Sequence, residues 1–156
     1  DKADGESTEA GKEKWIEVQG WDWTVEAESS WTKGGGASVG KPVPGRLRWE
    51  HRFDLASPVI IGFICTGKAF PKVELQMTRA DGDGAPQTYF TMKLEGVFVT
   101  KVAHTSADDG TITQDVEMVF KKVAIEYKPQ SSADGSFGQA KTVEWDISSR
   151  GASTSG

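Results

Sequence analysis

At 156 residues the chain has the length of one ordinary domain, long enough to bury a core. A formal charge of -5 and a pI near 5.1 exclude a general attraction to nucleic acid or to an anionic membrane surface. One cysteine, Cys65, leaves no internal disulfide and no cysteine-rich metal site, and no run approaches the roughly 18–20 apolar residues of a membrane helix.

From the N-terminus, Ile16 and Val18 are apolar at even positions, while Trp21, Trp23 and Val25 continue at odd ones, with Gly20 at the changeover. A one-residue change of face along a strand is what a β-bulge or sharp bend produces. From Thr32 to Gly45 the periodicity stops, and Gly34, Gly35, Gly36, Gly40, Pro42 and Pro44 make this stretch a long connection. In a compact domain such a loop carries function or is disordered. Arg46 to Phe53 then alternates cleanly: Leu47, Trp49, His51 and Phe53 share one face, and Arg46, Arg48, Glu50 and Arg52 the other, as in a half-buried strand.

One helix follows. Ser57 is a good N-cap, Pro58 suits the first helical position and Gly67 can take the left-handed conformation, which bounds the helix at about 57–66. Val59, Ile60, Ile61, Phe63, Ile64 and Cys65 surround nearly its whole circumference, so it either plugs a barrel or meets another subunit.

The remaining segments are strands. Val73, Leu75 and Met77 share a phase, as do Val143, Trp145 and Ile147. Phe90, Met92 and Leu94 give way to Val97 and Val99 across Gly96, and Val116, Met118 and Phe120 to Val123, Ile125 and Tyr127 across Lys121 and Lys122. Asp81-Gly82-Asp83-Gly84, Asp108-Asp109-Gly110 and Asp134-Gly135 supply hairpin turns. Together these predict a mainly β fold: a barrel-like sandwich of two antiparallel sheets with one short flanking helix. It spans 1–147 as a single domain, followed by a disordered serine- and glycine-rich tail at 148–156.

No constellation in the chain commits it to catalysis, a cofactor or a metal. Gly62 to Lys68 has P-loop spacing, but Gly67 closes a helix there instead of opening one, and Ala69 has no hydroxyl for magnesium. Asp81 to Gly84 hints at a calcium loop, yet Ala85, Pro86 and Met92 stand where a ligand, the glycine and the terminal glutamate belong. His51 reads as a partly buried strand residue, His104 as a strand-end surface group, and Cys65 on an apolar helix as an inert core residue. Arg46, Arg48 and Arg52 beside Glu50 read as a solvated face. The six tryptophans, Trp15, Trp21, Trp23, Trp31, Trp49 and Trp145, sit mostly on apolar phases and suit a core or an interface better than a sugar platform.

The order of features resembles one family. Gly5-Glu6-Ser7-Thr8, Lys14-Trp15-Ile16-Glu17-Val18 and the pair Trp21 and Trp23 look like the N-terminal portion of the Hcp family, the tube proteins of type VI secretion. Phe53-Asp54-Leu55-Ala56-Ser57-Pro58 and Thr66-Gly67-Lys68 are similar to that family's helix boundaries. Lys93 to Val99, Glu117 to Phe120, Val123 to Pro129 and Trp145-Asp146 resemble its C-terminal strands. The family's further strand ahead of the Gly-Glu-Ser motif has only Asp1 to Asp4 to correspond to it here.

The resemblance implies a non-enzymatic subunit without cofactors that forms homohexameric rings. Those rings stack into a tube that meets spike, sheath and effector proteins, with no nucleic acid and no membrane insertion. It also implies assembly in the bacterial cytoplasm followed by secretion by the type VI system, and no signal peptide is visible. The interface is expected around the glycine-rich connection, at Trp23, Trp31, Thr32, Lys33, Gly34, Gly35, Gly36, Val39, Lys41 and Val43. The competing readings are a monomeric carbohydrate-binding β-sandwich module using exposed tryptophans and, more weakly, a hydrolase with an unplaced carboxylate pair.

Overall fold

The structure is a computed structural model that describes residues 2–32, 35–149 and 151–155. It is mainly β with one helix, and every strand pairing among the described residues is antiparallel. The chain forms two compact units. The first takes in the chain up to Lys68 together with Val99–Val119; the second takes in Ala69–Phe98 and the chain from Phe120 onward.

The first unit is built on β4 (Leu47–Arg52), which lies between β1 (Val18–Asp22) and β7 (Ile112–Val119). The C-terminal part of the long strand β6 (Pro86–Ser106) flanks β7. The alternation of β4 is as the sequence predicts: Leu47, Trp49 and His51 are buried. Phe53 is not part of this face; β4 ends at Arg52 and Phe53 is 39% exposed. In β1 the register shifts between Val18 and Gly20, where the phase change predicted a bulge.

Helix α1 (Ala56–Thr66) belongs to the same unit. It begins one residue earlier than expected, and Ser57 is not its cap. The N-cap position is Leu55, which has no capping side chain; just ahead of it Asp54 Oδ1 accepts the Ala56 N–H at 2.9 Å, and Ser57 Oγ accepts the Asp54 N–H at 3.0 Å. Gly67 ends the helix in the left-handed conformation, with φ +69°. Ala56, Ser57, Ile60 and Phe63 are buried, whereas Leu55 is 70% exposed and Cys65 is exposed, so Cys65 is not a core residue.

The stretch read as a long loop is instead a hairpin. β2 (Val25–Thr32) and β3 (Gly36–Pro44) pair antiparallel from Val25↔Pro44 to Thr32↔Gly36, as a two-stranded sheet apart from the main one. A ribbon with no third strand covering it has no core face to enforce alternation, so its glycines and prolines mask the strand. Pro42 and Pro44 both lie within β3.

In the second unit, the N-terminal part of β6 pairs with β5 (Ala69–Ala80) and with β8 (Lys122–Tyr127). β9 (Lys141–Asp146) follows on β8. Leu75, Met92, Leu94, Val97, Phe120 and Val123 are buried here. The hairpin turns form as predicted, with Gly84 and Gly135 here, and Gly110 in the first unit, at positive φ. Gly96 sits at φ +62°, and a Cβ there would come within 2.9 Å of Lys121 Cδ, which is why the strand changes face at a glycine. Residues 151–155, placed by composition in a disordered tail, form β10 (Gly151–Ser155), paired with β9. Backbone hydrogen bonds make that pairing, so its serines and threonine reveal nothing in a hydrophobic pattern.

Candidate assembly surface

The hairpin is pinned at its base. Trp23 Nε1–H donates to the Gly45 carbonyl at 3.1 Å, and Gly45 N–H donates to the Thr24 carbonyl at 2.8 Å. Trp23 is half-buried, so among the expected interface residues it acts as the anchor of the hairpin. Cross-strand register places Val25 opposite Pro44, Ala27 opposite Pro42 and Ser29 opposite Val39, while Glu26 stands opposite Val43. The register shifts between Ala27 and Ser29, where one residue of β2 faces two of β3, and this irregularity brings Val39 to the side of Val25, Ala27, Ser29, Pro42 and Pro44. That side is mostly apolar and mostly uncovered: Val25 is 44% and Val39 72% exposed, with Val43 at 60% on the reverse. Gly35, Gly36 and Lys41 are exposed as well. Lys33 and Gly34 lie outside the described residues, as do the side chains of Trp31 and Thr32.

A second exposed apolar group lies where β4 leads into α1. Phe53 N–H donates to the Ile112 carbonyl at 2.9 Å, and Phe53, Leu55 and Ile112 are 39%, 70% and 42% exposed. The sequence pattern assigned Phe53 to the core; the signal against that was Asp54, a residue suited to a strand end and helix start, whose Oδ1 accepts the Ala56 N–H.

The arginine-rich face of β4 is an ion-pair network. Arg46 pairs with Asp22 at 2.7 Å and with Glu117, and Arg48 reaches Asp22, Glu50 and Asp115. Lys101 Nζ adds a contact to Glu117 at 3.6 Å. The hydrogen bond from Arg46 holds the Asp22 carboxyl below its usual range, against the opposing effect of burial and with Arg48 helping. Arg46 and Arg48 are therefore each matched by carboxylates, as the solvated-face reading expects.

Trp49 is buried, and Trp15, Trp21, Trp23 and Trp145 are half-buried, so these side chains form part of the packing. Among the described residues no group of three or more histidine, cysteine or acidic side chains is arranged to hold a metal, and no helix is long and apolar enough to cross a membrane. The second unit has an open polar hollow near Asp81, Asp83, Gln87 and Asp134. Asp81 there is already spent on its turn: its Oδ1 accepts the N–H groups of Asp83 and Ala85, each at 2.9 Å.

Residues 1–127 match the family described as type VI secretion system effector, Hcp. The chain belongs to the Hcp family. Among its relatives, the major exported protein of Pseudomonas aeruginosa is 28% identical over 128 residues, covering 76% of this chain and 72% of that protein. A solved type six secretion system protein superposes with a TM-score of 0.89 at 29% identity, covering 98% of this chain and 95% of the other. Hcp1 from Salmonella typhimurium gives a TM-score of 0.75 at 27% identity, covering 96% and 92%.

Proposed function

We propose that this Hcp protein is a non-enzymatic tube subunit of type VI secretion, forming homohexameric rings that stack end to end and carry effectors into target cells. The observation that supports this most directly is the detached hairpin, whose uncovered apolar side is costly to leave in water and is relieved when copies meet. A closed ring needs complementary patches on different parts of one subunit, joined head to tail. In this reading Gly35, Gly36, Val39, Lys41 and Val43, with the neighbouring Trp31, Thr32, Lys33 and Gly34, make the subunit and ring-to-ring contacts, while Trp23 fixes the hairpin's direction. The partners are further copies of the chain, spike and sheath components and effectors; assembly takes place in the bacterial cytoplasm and is followed by secretion.

Native mass spectrometry and negative-stain microscopy of the purified full chain test the proposal. Hexamers and rings are expected, with stacked tubes at high concentration. A chain that stays monomeric across the micromolar to millimolar range overturns it.

A further inference from the structure

The first unit contains a connected set of buried polar side chains. His51 on β4 and Gln114 on β7 are register partners, and both are fully buried, as is Ser57 on α1. Trp49 Nε1–H donates to His51 Nδ1 at 2.8 Å. An indole N–H is a donor only, so His51 Nδ1 is an acceptor and the proton of the neutral ring sits on Nε2, 3.1 Å from Ser57 Oγ. That hydroxyl accepts from His51 and from the Asp54 N–H, and donates to Asp54 Oδ1 at 3.3 Å. Strand, helix entrance and helix are thereby joined through one imidazole in one tautomer.

The surroundings of the ring favour its charged form in part, and burial outweighs them. From the helix entrance Asp54 Oδ1 lies 3.8 Å from His51 Nε2. From β7 comes Gln114, whose Nε2 donates to Nε2 of His104 on β6 at 3.0 Å and whose buried Oε1 has no hydrogen-bond partner. From β1 the register partner is Val18, and Glu50 and Arg52 belong to the opposite face of β4, where Asp115 of β7 pairs with Arg48. Burial pushes the His51 imidazolium down in stability most, Asp54 and Gln114 work the other way, and His104 adds to the lowering.

We propose that the Trp49–His51–Ser57–Asp54 cluster is an acid-operated latch between β4 and α1. A proton arriving at His51 Nδ1 converts the acceptor of Trp49 Nε1–H into a second donor, and the two N–H groups then oppose one another inside the core. Breaking that contact leaves a buried indole donor unpaired, so the start of α1 loosens from the strand. The sign follows from proton counting. The folded state binds the His51 proton less tightly than the unfolded chain, so stability is full above the unfolded histidine value of about 6.5 and declines as pH falls below it. This inference does not rest on the assembly reading.

The test is thermal unfolding of the full chain between pH 8 and 5 at fixed protein concentration, for the wild type, His51→Asn and His104→Gln. Asparagine keeps an acceptor near Trp49 but takes up no proton. The wild type and His104→Gln are expected to lose about 2–4 °C or more per unit of pKa difference as pH falls below about 6.5, and His51→Asn to lose markedly less. An equal pH dependence in His51→Asn overturns the proposal. Hydrogen exchange of the wild type alone covers the case in which that variant fails to fold. Corrected for intrinsic rates, protection should fall at pH 5.5 in residues 47–63 while β8 and β9 hold; unchanged or uniformly changed protection also overturns the latch.

Discussion

Asp54 and Ser57 bracket the start of α1, each side-chain oxygen accepting a backbone N–H, from Ala56 at 2.9 Å and from Asp54 at 3.0 Å. Asp54→Ala removes the acceptor for Ala56 and the carboxylate that receives the Ser57 hydroxyl. The expected cost is about 0.5–2 kcal/mol, read as a lower denaturant midpoint with unchanged slope. Asp54→Asn should recover most of it, because an amide oxygen also accepts.

On the hairpin, Val39→Asp places a charge on an apolar side that is 72% exposed in the single chain. The isolated subunit should keep its stability to within about 0.5 kcal/mol, since little is buried there. Self-association should weaken about tenfold or more, because an unpaired charge would have to be desolvated in the contact. Urea titration measures the first quantity and analytical ultracentrifugation at several concentrations the second, and unaltered association would remove Val39 from the interface.

The second unit depends on β6. Leu94 is 1% exposed and pairs across to Val73 and Val123, so Leu94→Ala should cost about 2–5 kcal/mol through lost burial and the cavity left behind. Its neighbour Lys93 is exposed, and Lys93→Ala should shift stability by no more than about 0.5 kcal/mol. Urea titration of the two variants side by side tests whether the alternation of β6 sets the energetics.

Asp146 is held at a pKa of about 2, chiefly by the hydroxyl of Ser148 at 2.6 Å, with the Ser149 N–H and Lys122 also favouring the carboxylate. A carboxyl depressed in the folded state contributes stability above its unfolded value near 3.9, and loses it as pH falls toward 2. Asp146→Asn should therefore flatten the stability profile between about pH 4 and 2 and leave the slope above pH 5 unchanged. Melting curves across that range decide it.

The sequence made legible whatever had a core to face. Leu47, Trp49 and His51 announce β4 because water lies on one side only, and the Asp-Gly turns announce themselves because few residues tolerate positive φ. The β2–β3 hairpin was hidden because neither side of it is packed against a sheet, so nothing selects an alternating pattern. The helix start was misplaced because Ser57 has the right chemistry for a cap, whereas its hydroxyl lies inside the helix and bonds His51 and the Asp54 N–H. A usable signal for the buried cluster did exist. His51 shares the phase of Leu47 and Trp49, and Gln114 that of Val116 and Met118, so two polar residues fall where only apolar ones are expected.

Proline within a strand is tolerated where its missing donor points away from the partner chain. With two such residues, Pro42 and Pro44, the C-terminal end of β3 lacks two N–H groups that another extended segment would need in order to join the ladder there. An extended segment approaching that end of β3 therefore finds no ladder to lengthen, which disfavours the seeding of amyloid-like fibres along that border.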